Sequence, residues 1–264
     1  MTATIDAART APCDLTILTL FSGNRILLGP FADALYSLKK PTNTQLLFID
    51  NSGDSLFYQK LIALGGETCV FPDRLESGVA DDLRREAQIR KAEHCSNLYN
   101  FSKPYIRGEN LLILEHDVIP APEALEKLSR SRDYYRADLM SAAIVSRTTG
   151  EYLGWRFKRN GADIDRVPVT RHPKRVMATG FGFLLMKKST FLAMRITAQD
   201  SRYPFFGCDL HAGVWAREKN LRWFMDGGVR CAHLTAAGVP ARFGYPANSG
   251  TGPLHLLRDL QEAV

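Results

Sequence analysis

Nothing in this sequence approaches the roughly 20 consecutive apolar residues of a membrane span. The opening stretch, Met1 to Pro12, lacks the basic segment and apolar core of a signal peptide, and reads as a flexible terminus. Five cysteines, Cys13, Cys69, Cys95, Cys208 and Cys231, are odd in number and have no CxxC spacing. That argues against a disulfide framework or a zinc site and fits a reducing compartment. No glycine-rich loop ending in lysine follows the first apolar run, so a triphosphate cradle is not expected. Internal repeats and low-complexity tracts are also missing. These absences point to a globular, cytoplasmic chain.

What is present suits that class. With 45% hydrophobic and 23% charged residues in 264, the chain is sized for one large domain or two small ones. The first half alternates strand and helix patterns. Leu15 to Phe21 is an apolar run ending in the turn cluster Ser22-Gly23-Asn24. Pro30 opens a helical pattern stopped by Pro41. Gln45 to Ile49 reads as a second strand, Leu56 to Leu64 as a helix and Glu67 to Phe71 as a short strand. Ala80 to about Leu98 is a charged helix with Asp81 and Asp82 in its first turn, the order favoured by the helix dipole. Strands separated by helices of this length imply right-handed crossovers and a mostly parallel sheet flanked by helices, an α/β fold.

The stretch Asn110 to Ile119 carries the most information. Its apolar run reads as a strand buried on both faces and leads into Glu115-His116-Asp117. Residues two apart on a strand share a face, so both carboxylates would point into one site at the strand's carboxyl end, where open α/β sheets bind ligands. Carboxylates there suit a hard divalent cation; solvated turn residues are the alternative.

The second half is less regular. Asp138 to Val145 and Val176 to Met186 read as strands, the latter containing Gly180-Phe181-Gly182, which marks either close approach to a ligand or packing against a bulky neighbour. Phe205 to Asp209 precedes a helix from Leu210 to Lys219. Trp223 to Asp226 and Val229 to His233 read as two short strands around Gly227-Gly228. A Gly/Pro-rich loop from Ala236 and a final helix, Leu254 to Ala263, complete the chain.

The order of these features resembles the GT-A glycosyltransferases, most closely the inverting enzymes of family 2: an early strand, Asp50 after the second, Glu115-His116-Asp117, Gly180-Phe181-Gly182, Asp209 opening a helix and His233 closing a late strand. The resemblance spans Leu15 to His233. It departs from the family pattern in two places, with Glu-His-Asp for Asp-x-Asp and Cys208-Asp209 for an acidic pair. It implies a catalytic domain over residues 13–235, with a nucleotide half (13–120) and an acceptor half (121–235), followed by a tail over 236–264. It also implies a nucleotide-sugar donor, such as a UDP-sugar, held with Mn2+ or Mg2+. Asp117 and His233 would bind the metal, and Asp209 would serve as catalytic base. Phe21, Ser22, Asp50, Glu115, His116, Asp117 and Gly180 would line the donor site.

Each role has a structural alternative. Asp209 sits where an N-cap would, His233 suits a satisfied core histidine, and Asp50 suits an Asx turn. Charge bears on the acceptor. Between Ser146 and Val176, Arg147, Arg156, Lys158, Arg159, Arg166, Arg171, Lys174 and Arg175 outnumber three acids and supply +5 of the chain's +6. Tyr152, Trp155 and Phe157 interleave with them. Such a region would hold an anionic acceptor, including DNA with hydroxymethylated pyrimidines as in phage-type enzymes, or would protect a strand edge. A glycan acceptor and a non-catalytic nucleotide- or glycan-binding module complete the expectations.

Overall fold

The computed structural model describes residues 11–73, 85–147, 149–161 and 163–241. The expected final helix and the start of the Ala80 helix lie outside the described residues. The first half builds four parallel strands. These are β1 (Cys13–Phe21), β2 (Thr44–Asp50), β3 (Glu67–Val70) and β4 (Gly108–Leu114), ordered β3-β2-β1-β4. Helices α1 (Arg25–Ser37), α2 (Ser55–Ala63) and α3 (Arg85–Ser102) lie between them in sequence.

The second half turns the sheet mixed. It adds β5 (Val118–Pro120), α4 (Ala124–Tyr135), β6 (Leu139–Ile144), β7 (Gly154–Phe157), β8 (Ile164–Arg166), β9 (Lys174–Arg175), β10 (Ala178–Thr179), β11 (Phe183–Lys187), α5 (Lys188–Ala193), α6 (Cys208–Glu218) and β12 (Trp223–His233). β11 runs antiparallel between β4 and β6, β12 runs parallel to β6, and β5 and β9 pair antiparallel with β12. A separate small sheet has the order β10-β7-β8. Among the described residues no helix is long and apolar enough to cross a membrane.

Alternation along the central strands explains the layering. In β4, Leu111 and Ile113 join the core on one side of the sheet, while Leu112 and Leu114 join the core on the other. β6 and β11 divide in the same way, with Leu139, Leu184 and Met186 on one side and Met140, Phe183 and Leu185 on the other. Both faces are therefore covered, as near-continuous apolar strands require.

Four sequence expectations are corrected. The α1 helix begins at Arg25, because Asn24 caps it by accepting the Ile26 N–H at 3.0 Å; Pro30 lies inside. The Asn110–Ile119 run is not one strand: β4 stops at Leu114, and a turn closed by Val118 N–H to the Glu115 carbonyl at 3.0 Å starts β5. The Val176–Met186 run also splits, because Gly180-Phe181-Gly182 carries the chain from the small sheet (β10) to the large one (β11). Conversely, the two strands expected around Gly227-Gly228 form one strand, β12, whose pairing with β6 shifts register between Asp226 and Arg230.

Candidate active site

The turn after β4 gathers the chemistry. The Glu115 N–H donates to the Gly182 carbonyl at 3.0 Å, which fastens this turn to the crossing between the two sheets. A Cβ on Gly182 would lie 2.7 Å from Ile144 Cδ1 and 2.8 Å from Val118 Cγ2, so a larger residue at that crossing would have to displace both side chains. His233 ends β12, and β12 pairs with β5 through His233 opposite Val118. The pairing sets the histidine beside Asp117 although the two are remote in sequence.

Glu115, Asp117 and His233 each offer one ligand atom within 4.8 Å of the others. His233 Nδ1 lies 2.9 Å from the Val145 carbonyl, which can only accept, so Nδ1 carries a proton. Nε2 is left facing Asp117 Oδ2 at 3.6 Å, too long for a hydrogen bond. His233 Nε2 and Asp117 Oδ1 are both buried without a hydrogen-bond partner. Buried polar atoms are rarely left so, and converging imidazole and carboxylate atoms suit a divalent cation. The donor set therefore fits a metal, with Nδ1 oriented by a backbone carbonyl as metal-binding histidines usually are.

Asp117 also meets a cation already in the chain. Arg147 Nη1 lies 2.7 Å from its Oδ2. Burial pushes the Asp117 carboxyl upward, but His233 and Arg147 outweigh it and hold the group below the usual carboxylate range. Glu115 goes the other way. Burial, then the Asp117 charge, raises it to about 7, and the Tyr99 hydroxyl donates to it at 3.3 Å. Two adjacent acids with their acidities driven apart recur where proton and metal chemistry are done.

Asp209 belongs to the same electrostatic neighbourhood, since its charge contributes to the raising of Glu115. It lies within the first turn of α6 and is not the N-cap, which is Gly207. Gly207 has φ 134, a conformation that L side chains rarely adopt, and a Cβ there would meet Asp209 Oδ1 at 2.8 Å. Oδ1 accepts the Leu210 N–H at 2.9 Å, and burial raises the Asp209 carboxyl to about 6. A carboxylate so tuned is a competent general base near neutral pH.

The remaining expected donor residues are more dispersed. Asp50 is buried at the end of β2 and accepts the Ser52 N–H at 2.8 Å, an Asx turn. The Phe21 ring is in the core, edge-on to Phe31, Phe48 and Phe57, and its carbonyl accepts the Asn51 N–H at 3.0 Å. Ser22 is exposed beside it. His116 donates from Nδ1 to the Leu20 carbonyl at 3.0 Å, and burial lowers its basicity. The Gly180 carbonyl accepts the Thr179 hydroxyl at 3.0 Å.

Sequence reasoning missed Tyr99 and misplaced Arg147. Tyr99 looks like one more apolar position of α3, and no local signal marks it. Arg147 was grouped with the acceptor-side bases; it projects instead onto the metal-type carboxylate.

With this geometry in view, the chain can be compared with known structures. GalNAc-T7 with UDP, GalNAc and Mn2+ overlays with a TM-score of 0.56 and 13% identity, covering 85% of this chain and 44% of that one. The mannosyltransferase PcManGT from Pyrobaculum calidifontis, in complex with GDP-Man and Mn2+, gives 0.56 and 11% over 84% of this chain and 57% of that one. The fold is GT-A-like. A197 from STIV overlays with a TM-score of 0.46 at 13% identity over 90% of this chain and 98% of that one. No protein-family model matches the sequence, and no curated protein matches it.

Proposed function

We propose that this chain is a metal-dependent glycosyltransferase that moves a sugar from a nucleotide-sugar donor to a hydroxyl acceptor with inversion. The observation that carries this reading is the pair of buried, unpartnered ligand atoms, Asp117 Oδ1 and His233 Nε2, at the carboxyl end of β4. The donor would be a UDP-sugar or a related nucleotide sugar. The catalytic unit would be residues 13–235, with the parallel strands on the donor side and the part after β5 on the acceptor side.

Asp117 and His233 would hold the cation, with Glu115 beside them as a third oxygen donor. When bound, Mn2+ or Mg2+ would act as a Lewis acid that stabilises charge on the departing diphosphate. The protein supplies the rest. Asp209 would take the proton from the acceptor hydroxyl as its oxygen attacks the anomeric carbon, so no covalent sugar–enzyme bond is required. Tyr99 would keep Glu115 oriented through its hydroxyl. Arg147 would neutralise Asp117 before donor and metal arrive.

On the acceptor side, Arg156, Lys158 and Arg159 are exposed, while Trp155 and Phe157 pack against the core. That favours charge over ring stacking as the means of holding an anionic acceptor, of which DNA is one kind.

Screening nucleotide sugars by thermal shift, with and without Mn2+, tests the reading. A donor at 100 times its dissociation constant should add about 2.7 kcal/mol of stability. Donor hydrolysis should appear with the same metal dependence. If no nucleotide sugar gives a Mn2+-dependent shift, the proposal fails.

A further inference from the structure

The basic residues between Ser146 and Val176 do not form one surface. Arg147 is held by Asp117, and Arg166 by Glu151 at 3.4 Å and by the face of Trp155 at 4.7 Å. Arg171 leaves the β7–β8 hairpin altogether. Its segment crosses the irregular part of β12 so closely that a Cβ on Gly227 would lie 1.9 Å from the Thr170 carbonyl oxygen. One on Gly228 would lie 3.0 Å from that of Arg171.

This crossing brings Arg171 to α4. Lys127 and Arg130 are three residues apart on that helix, so they share a face. The three cations line a shallow, open cavity of about 290 Å³ together with Ser131, Asp226 and Gly228. No salt bridge joins Lys127, Arg130 or Arg171 to a carboxylate among the described residues. Asp226 is the one acid in the wall, and it is buried with both oxygens engaged. Oδ2 accepts the Ser131 hydroxyl, and Oδ1 accepts the Gly228 N–H at 2.8 Å. Asp226 thus fastens α4 to the strand irregularity and shapes the wall.

We propose that this cavity is a second anion site that binds a phosphomonoester carried on a body of about monosaccharide size. A guanidinium fork and an ammonium from separate elements converge on it, the combination that recognises phosphate oxygens. Its volume sits at the low end of the roughly 300–1,000 Å³ of small-molecule sites, which leaves room for a ring beside the phosphate. The site is separate from the acidic cluster. Arg230, where regular pairing resumes after the irregularity, and His233 are three residues apart on β12, roughly 10 Å at the strand rise. The inference holds whether or not the acidic cluster transfers sugars.

Calorimetric titration of the full chain in EDTA tests it, with a hexose phosphate, inorganic phosphate and the neutral hexose as probes. EDTA keeps metal from drawing phosphate to Asp117. The hexose phosphate should bind saturably, more tightly than inorganic phosphate, and more weakly as salt screens the cations. The neutral hexose should not bind. Arg130→Gln and Arg171→Gln should each weaken binding about tenfold, the scale of a charge-assisted phosphate contact. Both residues are exposed, so the variants should melt as wild type does. Asp117→Asn should leave the affinity unchanged. The proposal is overturned by absent saturable binding, by unaltered binding in both arginine variants, or by loss of binding in Asp117→Asn.

Discussion

The turn after β4 and the β7–β8 hairpin carry opposite charges, and the protein treats them in opposite ways. Around the turn, few charges are present; Asp117 is buried, and Glu115 and Arg147 are partly so. Asp117 is answered by Arg147, with His233 from β12 beside it, and Glu115 by Tyr99 from α3. On the hairpin, charges are numerous and exposed, and their partners are local. Lys158 reaches Asp165 on the adjacent strand, and Arg166 reaches Glu151. Buried charge is costly unless partners from several elements converge on it, whereas exposed pairs contribute little. A group buried against that cost is where a functional site is first to be sought. Exposed bases paired with local acids, as on the hairpin, record only a tolerance for anions.

The comparison predicts a gradient of mutational effects, steepest at the turn. Asp117→Asn should abolish Mn2+-dependent donor binding with the fold retained; a nucleotide shift equal to wild type would show that Asp117 is not a ligand. Next, Asp209→Asn should keep donor affinity and lower turnover by about 10² or more. In the wild type, turnover should rise as pH passes through about 6, because the base works only once deprotonated. Near-normal turnover in the variant would move the proton to another residue.

Glu115 tests the cost of burial directly. Its acidity is raised in the folded state to about 7, so the native protein holds this proton more tightly than the unfolded chain. The contribution of Glu115 to stability without metal is therefore fully present below the unfolded carboxyl range and is lost as pH rises through about 7. Glu115→Gln should remove that decline and raise stability at pH 8 by about 1–3 kcal/mol in EDTA, measured by urea unfolding. A parallel fall in both proteins would place the titrating group elsewhere.

Arg147 links the two regions, being a base of the second half that serves the first. As a cation competing for Asp117, its loss in Arg147→Gln should tighten Mn2+ binding by about three- to tenfold in the absence of donor. Weaker metal binding would mean that Arg147 supports the site by orienting Asp117. The smallest effect is expected on the hairpin. Reversing Arg156, Lys158 and Arg159 to Glu should leave donor hydrolysis intact and weaken use of an anionic acceptor by about tenfold at low salt, with high salt mimicking the change. If transfer to a neutral acceptor is equal in both proteins and neither modifies DNA, the hairpin's charge is unrelated to the acceptor.

Much of the site could be read along the chain because its core is local. Leu111 to Leu114 are apolar on both faces and run into Glu115 and Asp117, and only a buried strand with a polar exit accounts for that pattern. Asp209 was singled out by the family resemblance, whereas the local pattern suggested an N-cap, a position that Gly207 holds instead. The strand breaks were less legible. Gly180 to Gly182 could be read as glycines inside a strand, but periodicity does not say that the residues on either side belong to different sheets.

The sequence by itself therefore determined the alternating α/β plan, the apolar centre of the sheet and the acids at its edge. These follow from side-chain period and turn chemistry, which act over a few residues. Tertiary structure alone decided that His233 stands beside Asp117, that Arg147 turns inward, that Tyr99 supports Glu115 and that Arg171 joins Lys127 and Arg130. Those meetings depend on how β12 registers with β5 and β6, and on where the Thr170–Arg171 segment crosses it. Register is set by packing between segments far apart in the chain, and no local pattern in either segment encodes it.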